Sequence, residues 1–68
     1  KKLNTLLLYP NPADEVISVP AFVQNWNIFN AMGQVVLAGG ETQINIASLE
    51  AGVYTFVSAE GTARFIKK

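Results

Sequence analysis

Short apolar or alternating runs, broken about every eight to twelve residues by Gly, Pro, Asn or Asp, constrain this chain more than any other feature. That spacing is the pattern of an all-β sandwich or barrel, and it predicts seven strands of about five residues each. The first, Thr5 to Tyr9, is stopped by Pro10-Asn11-Pro12, because two prolines remove two backbone donors and push Tyr9 and Asn11 toward extended geometry. The second runs from Glu15 to Val19, with Ile17 and Val19 on one face, and ends at Pro20. The third, Gln24 to Asn30, points Trp26 and Ile28 one way and Asn25, Asn27 and Phe29 the other, which implies one buried face.

Asn30-Ala31-Met32-Gly33 reads as a type I turn with Asn at its first position and Gly at its last, and Gln34 to Ala38 returns as the fourth strand. Gly39-Gly40 breaks the chain again. Thr42 to Ile46, Val53 to Ser58 and Thr62 to Lys67 follow as the fifth to seventh strands, with Glu60-Gly61 turning between the last two. A helix over Ile46 to Ala51 would be marginal at that length and would stop at Gly52, so the segment reads as loop or a single turn with Leu49 pointing inward. The expected architecture is two small antiparallel sheets packed face to face, with Trp26, Ile28, Ile44, Ile46, Leu49, Tyr54 and Phe56 as core.

Composition then narrows function. The chain's 68 residues have room for one domain, and from a start at Lys1 rather than Met a fragment of a larger protein is expected. Half the residues are apolar and 15% are charged, so the chain is globular. It has no Cys and no His, which excludes disulfides and the usual zinc ligand sets. Five basic and five acidic residues cancel and are scattered, apart from the lysine pairs at the two ends, so no broad field exists to attract nucleic acid. The longest strongly apolar stretch, Leu6 to Tyr9, is far below the roughly 20 residues of a membrane-spanning helix.

Catalytic constellations are equally scarce. Without His, a hydrolytic triad in its usual form is ruled out. Asp14 and Glu15 are consecutive and point to opposite faces of a strand, while Glu41, Glu50 and Glu60 fall at predicted turns as solvated charges. The glycines form no phosphate-binding pattern. No catalytic, metal or cofactor-binding residue is assigned. Trp26 with Tyr54 can be read as a carbohydrate-stacking platform, which would make the chain an accessory module binding glycan or a cell-surface partner, but their alternation with Ile28 and Phe56 favours core. Phe22, Val23 and Phe29 form a partner patch if exposed together, or Phe22 simply caps one end of the sandwich.

Four blocks, taken in order, resemble a known family: Leu8-Tyr9-Pro10-Asn11-Pro12-Ala13, Trp26-Asn27-Ile28-Phe29-Asn30-Ala31-Met32-Gly33-Gln34-Val35-Val36, Ile44 through Tyr54, and Arg64-Phe65-Ile66-Lys67-Lys68. Together they resemble the type A C-terminal sorting domain of the type IX secretion system, over nearly the whole chain. The resemblance implies a seven-stranded immunoglobulin-like sandwich at the end of a secreted cargo protein of a Gram-negative bacterium. Such a cargo passes the periplasm and crosses the outer membrane with the type IX translocon and shuttle proteins as partners. A sortase-like peptidase at the surface then removes the domain. Carried over by position, the recognition elements are Gly33, Gly52 and Tyr54 within the Leu49 to Tyr54 block, and Lys67 with Lys68; Pro10, Asn11 and Pro12 mark the entrance to the fold.

The sequence departs from the family pattern in places. Asn30 and Asn45 stand where acidic residues are common, and both can still accept a backbone hydrogen bond. Glu50-Ala51 replaces a frequent Pro-Ala. Ser58 occupies a position that is usually apolar, which puts the last inward position of the sixth strand in question. Gly33 and Gly52 are explained either by a need for positive φ or by recognition, and both readings stand. Lys67 and Lys68 read as a frayed charged end that adds nothing to stability, which favours recognition.

Overall fold

The computed structural model describes Asn4, Thr5, Leu8, Tyr9 and residues 13–68. The protein is all-β, with no helix among the described residues. Its strands are β1 (Asn4–Thr5), β2 (Val16–Ser18), β3 (Trp26–Phe29), β4 (Val35–Gly39), β5 (Gln43–Asn45), β6 (Gly52–Ser58) and β7 (Gly61–Lys67). Six of these reach three residues or more, and β1 is a two-residue pairing, so the expected set of seven strands of about five residues is corrected in length. The first predicted strand, Thr5 to Tyr9, is divided between the two sheets: Asn4 and Thr5 pair with β7, whereas Tyr9 bridges Ser18 at the end of β2. Pro10, Asn11 and Pro12 lie outside the described residues.

The strands form a five-stranded sheet in the order β1-β7-β6-β3-β4 and a two-stranded sheet of β2 and β5. The expectation of purely antiparallel sheets is corrected at one place, because β1 lies parallel to β7. All other strand pairs are antiparallel. In β6 and β7 side chains alternate strictly, Tyr54, Phe56 and Ser58 facing inward from one and Gly61, Ala63 and Phe65 from the other. Trp26 and Ile28 of β3 join them from the same sheet, and Ile17 and Ile44 close the core from the two-stranded sheet. Full burial of one such side chain stabilises by about 1.5–3 kcal/mol.

Of the predicted core only Leu49 is half-buried; the other six are buried. Leu8, Ala13, Ile17, Val19, Val23, Ala63 and Phe65 complete the cluster. Val23 is therefore core, Phe22 is exposed and Phe29 half-buried, so the three do not make one patch. Ser58 does face inward, and its hydroxyl donates to the Gly61 carbonyl at 3.0 Å. A buried hydroxyl with that partner costs little, which explains why serine is tolerated at an apolar position.

The C-terminal end is not frayed, contrary to the sequence expectation. Lys67 pairs across from Gly52 on one side and bridges Ala13 on the other. Ala13 N–H donates to the Ile66 carbonyl and Lys68 N–H to the Ala13 carbonyl, each at 2.8 Å. Ala13 is itself fully buried, so this clamp is built into the core. Its cause is topological: Ala13 lies against the end of β7 on the side away from β6.

Candidate recognition surface

Antiparallel pairing brings the separate blocks to one end of the five-stranded sheet. The end of β3, the start of β4, the start of β6 and the end of β7 all lie there, because Phe29 pairs with both Val35 and Thr55, and Gly52 with Lys67. Three connections define this end: the turn Asn30 to Gly33, the loop Ile46 to Ala51, and the clamped C-terminus.

Asn30 organises the first of these. Its carbonyl accepts from Gly33 N–H at 3.0 Å, closing the turn. Its Oδ1 accepts from Met32 N–H at 2.9 Å and from Gln34 N–H at 3.0 Å, and its amide donates to the Gln34 side chain at 3.1 Å. Gly33 has φ +83°, in the left-handed region that a Cβ disfavours, so glycine ends the turn at no steric cost. Met32 at the tip is 81% exposed, which leaves this turn free to be touched.

The second connection is built the same way. Asn45 Oδ1 accepts from Ala47 N–H at 2.9 Å, and Leu49 N–H donates to the Ile46 carbonyl at 3.0 Å, giving the single turn expected over this segment. Gly52, with φ +155°, then swings the chain into β6. Tyr54 points inward, stacks on Phe65 with ring centroids 5.5 Å apart, and donates its hydroxyl to the Glu50 carbonyl at 2.6 Å. Tyr54, itself buried, thus fixes the loop from beneath. A groove of about 370 Å³ separates the two connections, lined among others by Asn30, Met32, Val36, Leu49, Gly52 and Tyr54.

The structure therefore gathers Gly33, Gly52, Tyr54 and Lys67 at one end, with Lys68 beside the Ala13 clamp. Asn30 and Asn45 accept backbone hydrogen bonds in their turns, as the sequence indicated. The role of Ala13 was not assigned from sequence; nothing local signals it, since its partner is more than fifty residues away. Trp26 is 3% exposed and Tyr54 6%, so they form no stacking platform. Trp26 instead packs on Phe56 and donates its indole N–H to the Glu41 carbonyl at 2.9 Å. Among the described residues, no three acidic side chains converge as a metal site would require, and no helix is long and apolar enough to cross a membrane.

The described residues thus make a small all-β domain whose turns, two of them organised by Asn side chains, lie over one apolar core. Comparison with known proteins names the kind: the family described as "Secretion system C-terminal sorting domain" matches residues 7–68, and the chain belongs to that family. It carries the C-terminal sorting signal of type IX secretion, which marks a protein that is secreted or displayed at the cell surface. No curated protein and no solved structure matches the chain.

Proposed function

We propose that this chain is a single, non-catalytic sorting domain at the end of a larger cargo protein, read in the folded state by the type IX translocon and its shuttle proteins. The cargo reaches them through the periplasm, and a sortase-like peptidase at the surface removes the domain afterwards. The observation that carries this reading is the family match over residues 7–68, whose blocks the pairing of β3, β4, β6 and β7 collects at one end.

An immunoglobulin-like fold is part of the proposal, and two features support it. The run β7-β6-β3 in one sheet and the pair β2-β5 in the other follow the G-F-C and B-E neighbours of an immunoglobulin sandwich, with β4 beside β3 where variable-type domains add a strand. Tyr54 near the start of the sixth strand donates to a backbone carbonyl four residues upstream, as the tyrosine corner of such sandwiches does.

Fusing residues 1–68 behind a periplasmic fluorescent protein in a type IX-competent host tests the function. The fusion is expected at the cell surface or in the medium. Retention in the periplasm, with the fusion folded and intact, sinks the proposal.

A further inference from the structure

The five-stranded sheet ends at β4, which pairs with β3 and, among the described residues, with no strand on its other side. Backbone N–H groups alternate along a strand, so about half of those in β4 face away from β3. Sheet edges are normally blocked by charges, prolines, bulges or a covering segment. Val35–Gly39 reads Val-Val-Leu-Ala-Gly, with neither charge nor proline. One bulge is present, since Ile28 pairs with Leu37 and Phe29 with Val35, leaving Val36 unmatched. Beyond it, Leu37 to Gly39 keep a regular register against Ile28 to Trp26.

An outer face that is apolar next to the edge and mixed further in continues from β4. Val35, Phe29, Thr55 and Arg64 form one cross-strand row, and Ala38, Asn27, Val57 and Thr62 the next, with no acidic residue in either. Val35 is 55% exposed, at the edge itself.

We infer that β4 is a docking edge for an extended, uncharged strand of a partner protein, which adds to the sheet by backbone pairing and lays apolar side chains beside Val35. This rests on the sorting-signal reading, from which the partner belongs to the secretion machinery. The size of the edge favours such a partner over a second copy. Five residues span about 17 Å, and two such edges meeting alone would fall well short of the roughly 1,200 Å² of a stable interface. A partner that also covers the outer face supplies more contact while remaining releasable, as a cargo signal requires.

Leu37→Pro and Ala38→Pro test the edge as a pair. Being neighbours, one loses the donor toward β3 and the other the donor facing outward, and an edge strand tolerates proline only in the second case. Thermal melting identifies the tolerated variant, which is then compared with wild type as the fluorescent fusion in a type IX-competent host. A fall in surface fluorescence of at least tenfold, with the fusion folded, is expected. Ala38→Lys, a charge at an exposed position that leaves the ladder intact, is expected to give the same fall and serves if both prolines unfold the domain. Normal export of a folded edge variant overturns the docking edge while leaving the sorting signal intact. Failure of the wild-type fusion to be exported instead overturns the sorting-signal reading and this partner with it. Concentration-dependent self-association lost in the same variants assigns the edge to a second copy and overturns the proposal.

Discussion

At one margin of the five-stranded sheet, β7 is closed by two short parallel contacts, Asn4 and Thr5 at its start and Ala13 at its end; at the other margin, β4 has no strand beyond it among the described residues and an uncharged sequence. The margins also differ in depth. Ala63 and Phe65 on β7 are buried, whereas no residue of β4 is, Val36 and Leu37 being only half-buried against the core. A domain this small buries only about 60% of the surface its chain exposes when unfolded, so it has little stability to spare. The difference teaches that the protein concentrates its core on the side where its two ends meet and keeps the opposite side shallow, free to be touched without loss of the fold.

Truncating one side chain on each margin is the strongest way to break that comparison. Phe65→Ala leaves a cavity at a fully buried site and is expected to cost about 3–5 kcal/mol, enough to unfold a marginal domain. Leu37→Ala on β4 should cost less than about 1.5 kcal/mol, since its side chain is only partly withdrawn from water. Urea denaturation followed by Trp26 fluorescence measures both. Equal losses would show that β4 is as much a part of the core as β7.

The second difference lies in the clamp. Deleting Lys67 and Lys68 removes the backbone bond from Lys68 N–H to Ala13 and the pairing of Lys67 with Gly52. At about 1 kcal/mol for each backbone hydrogen bond lost, a destabilisation of about 2 kcal/mol is expected. For a domain of this size that lowers Tm by about 10 °C. An unchanged Tm would mean that the clamp at Ala13 holds nothing.

Sequence reading located the inward alternation of Trp26 and Ile28 and the Asn30 to Gly33 turn, because period-two patterning and turn chemistry are local signals. It located the Gly52 to Tyr54 entry for the same reason. It missed both treatments of the sheet margins, which are set by partners far along the chain. Ala13 looks like any small residue after a proline, and only its meeting with Lys67 gives it a role. β4 looks like any apolar strand, and only its place in the strand order makes it an edge. The lysines were misjudged as frayed on the same account: their charge is visible in the sequence, their backbone pairing is not.

That distinction between charge and backbone separates two explanations of the C-terminal end. Replacing both side chains, Lys67→Gln with Lys68→Gln, removes the charges yet keeps every backbone bond to Ala13 and Gly52. Among the described residues, the side-chain hydrogen bond lost is the exposed one from Lys67 Nζ to the Lys68 carbonyl, at 3.0 Å. Exposed changes of this kind stay within about 0.5 kcal/mol, so Tm should move by less than about 4 °C. If the charges are read by the secretion machinery, export of the fluorescent fusion nonetheless falls sharply. If export follows Tm instead, dropping in the truncated chain and holding in the glutamine variant, then the lysines matter only as links in the clamp, and recognition must reside elsewhere on the molecule.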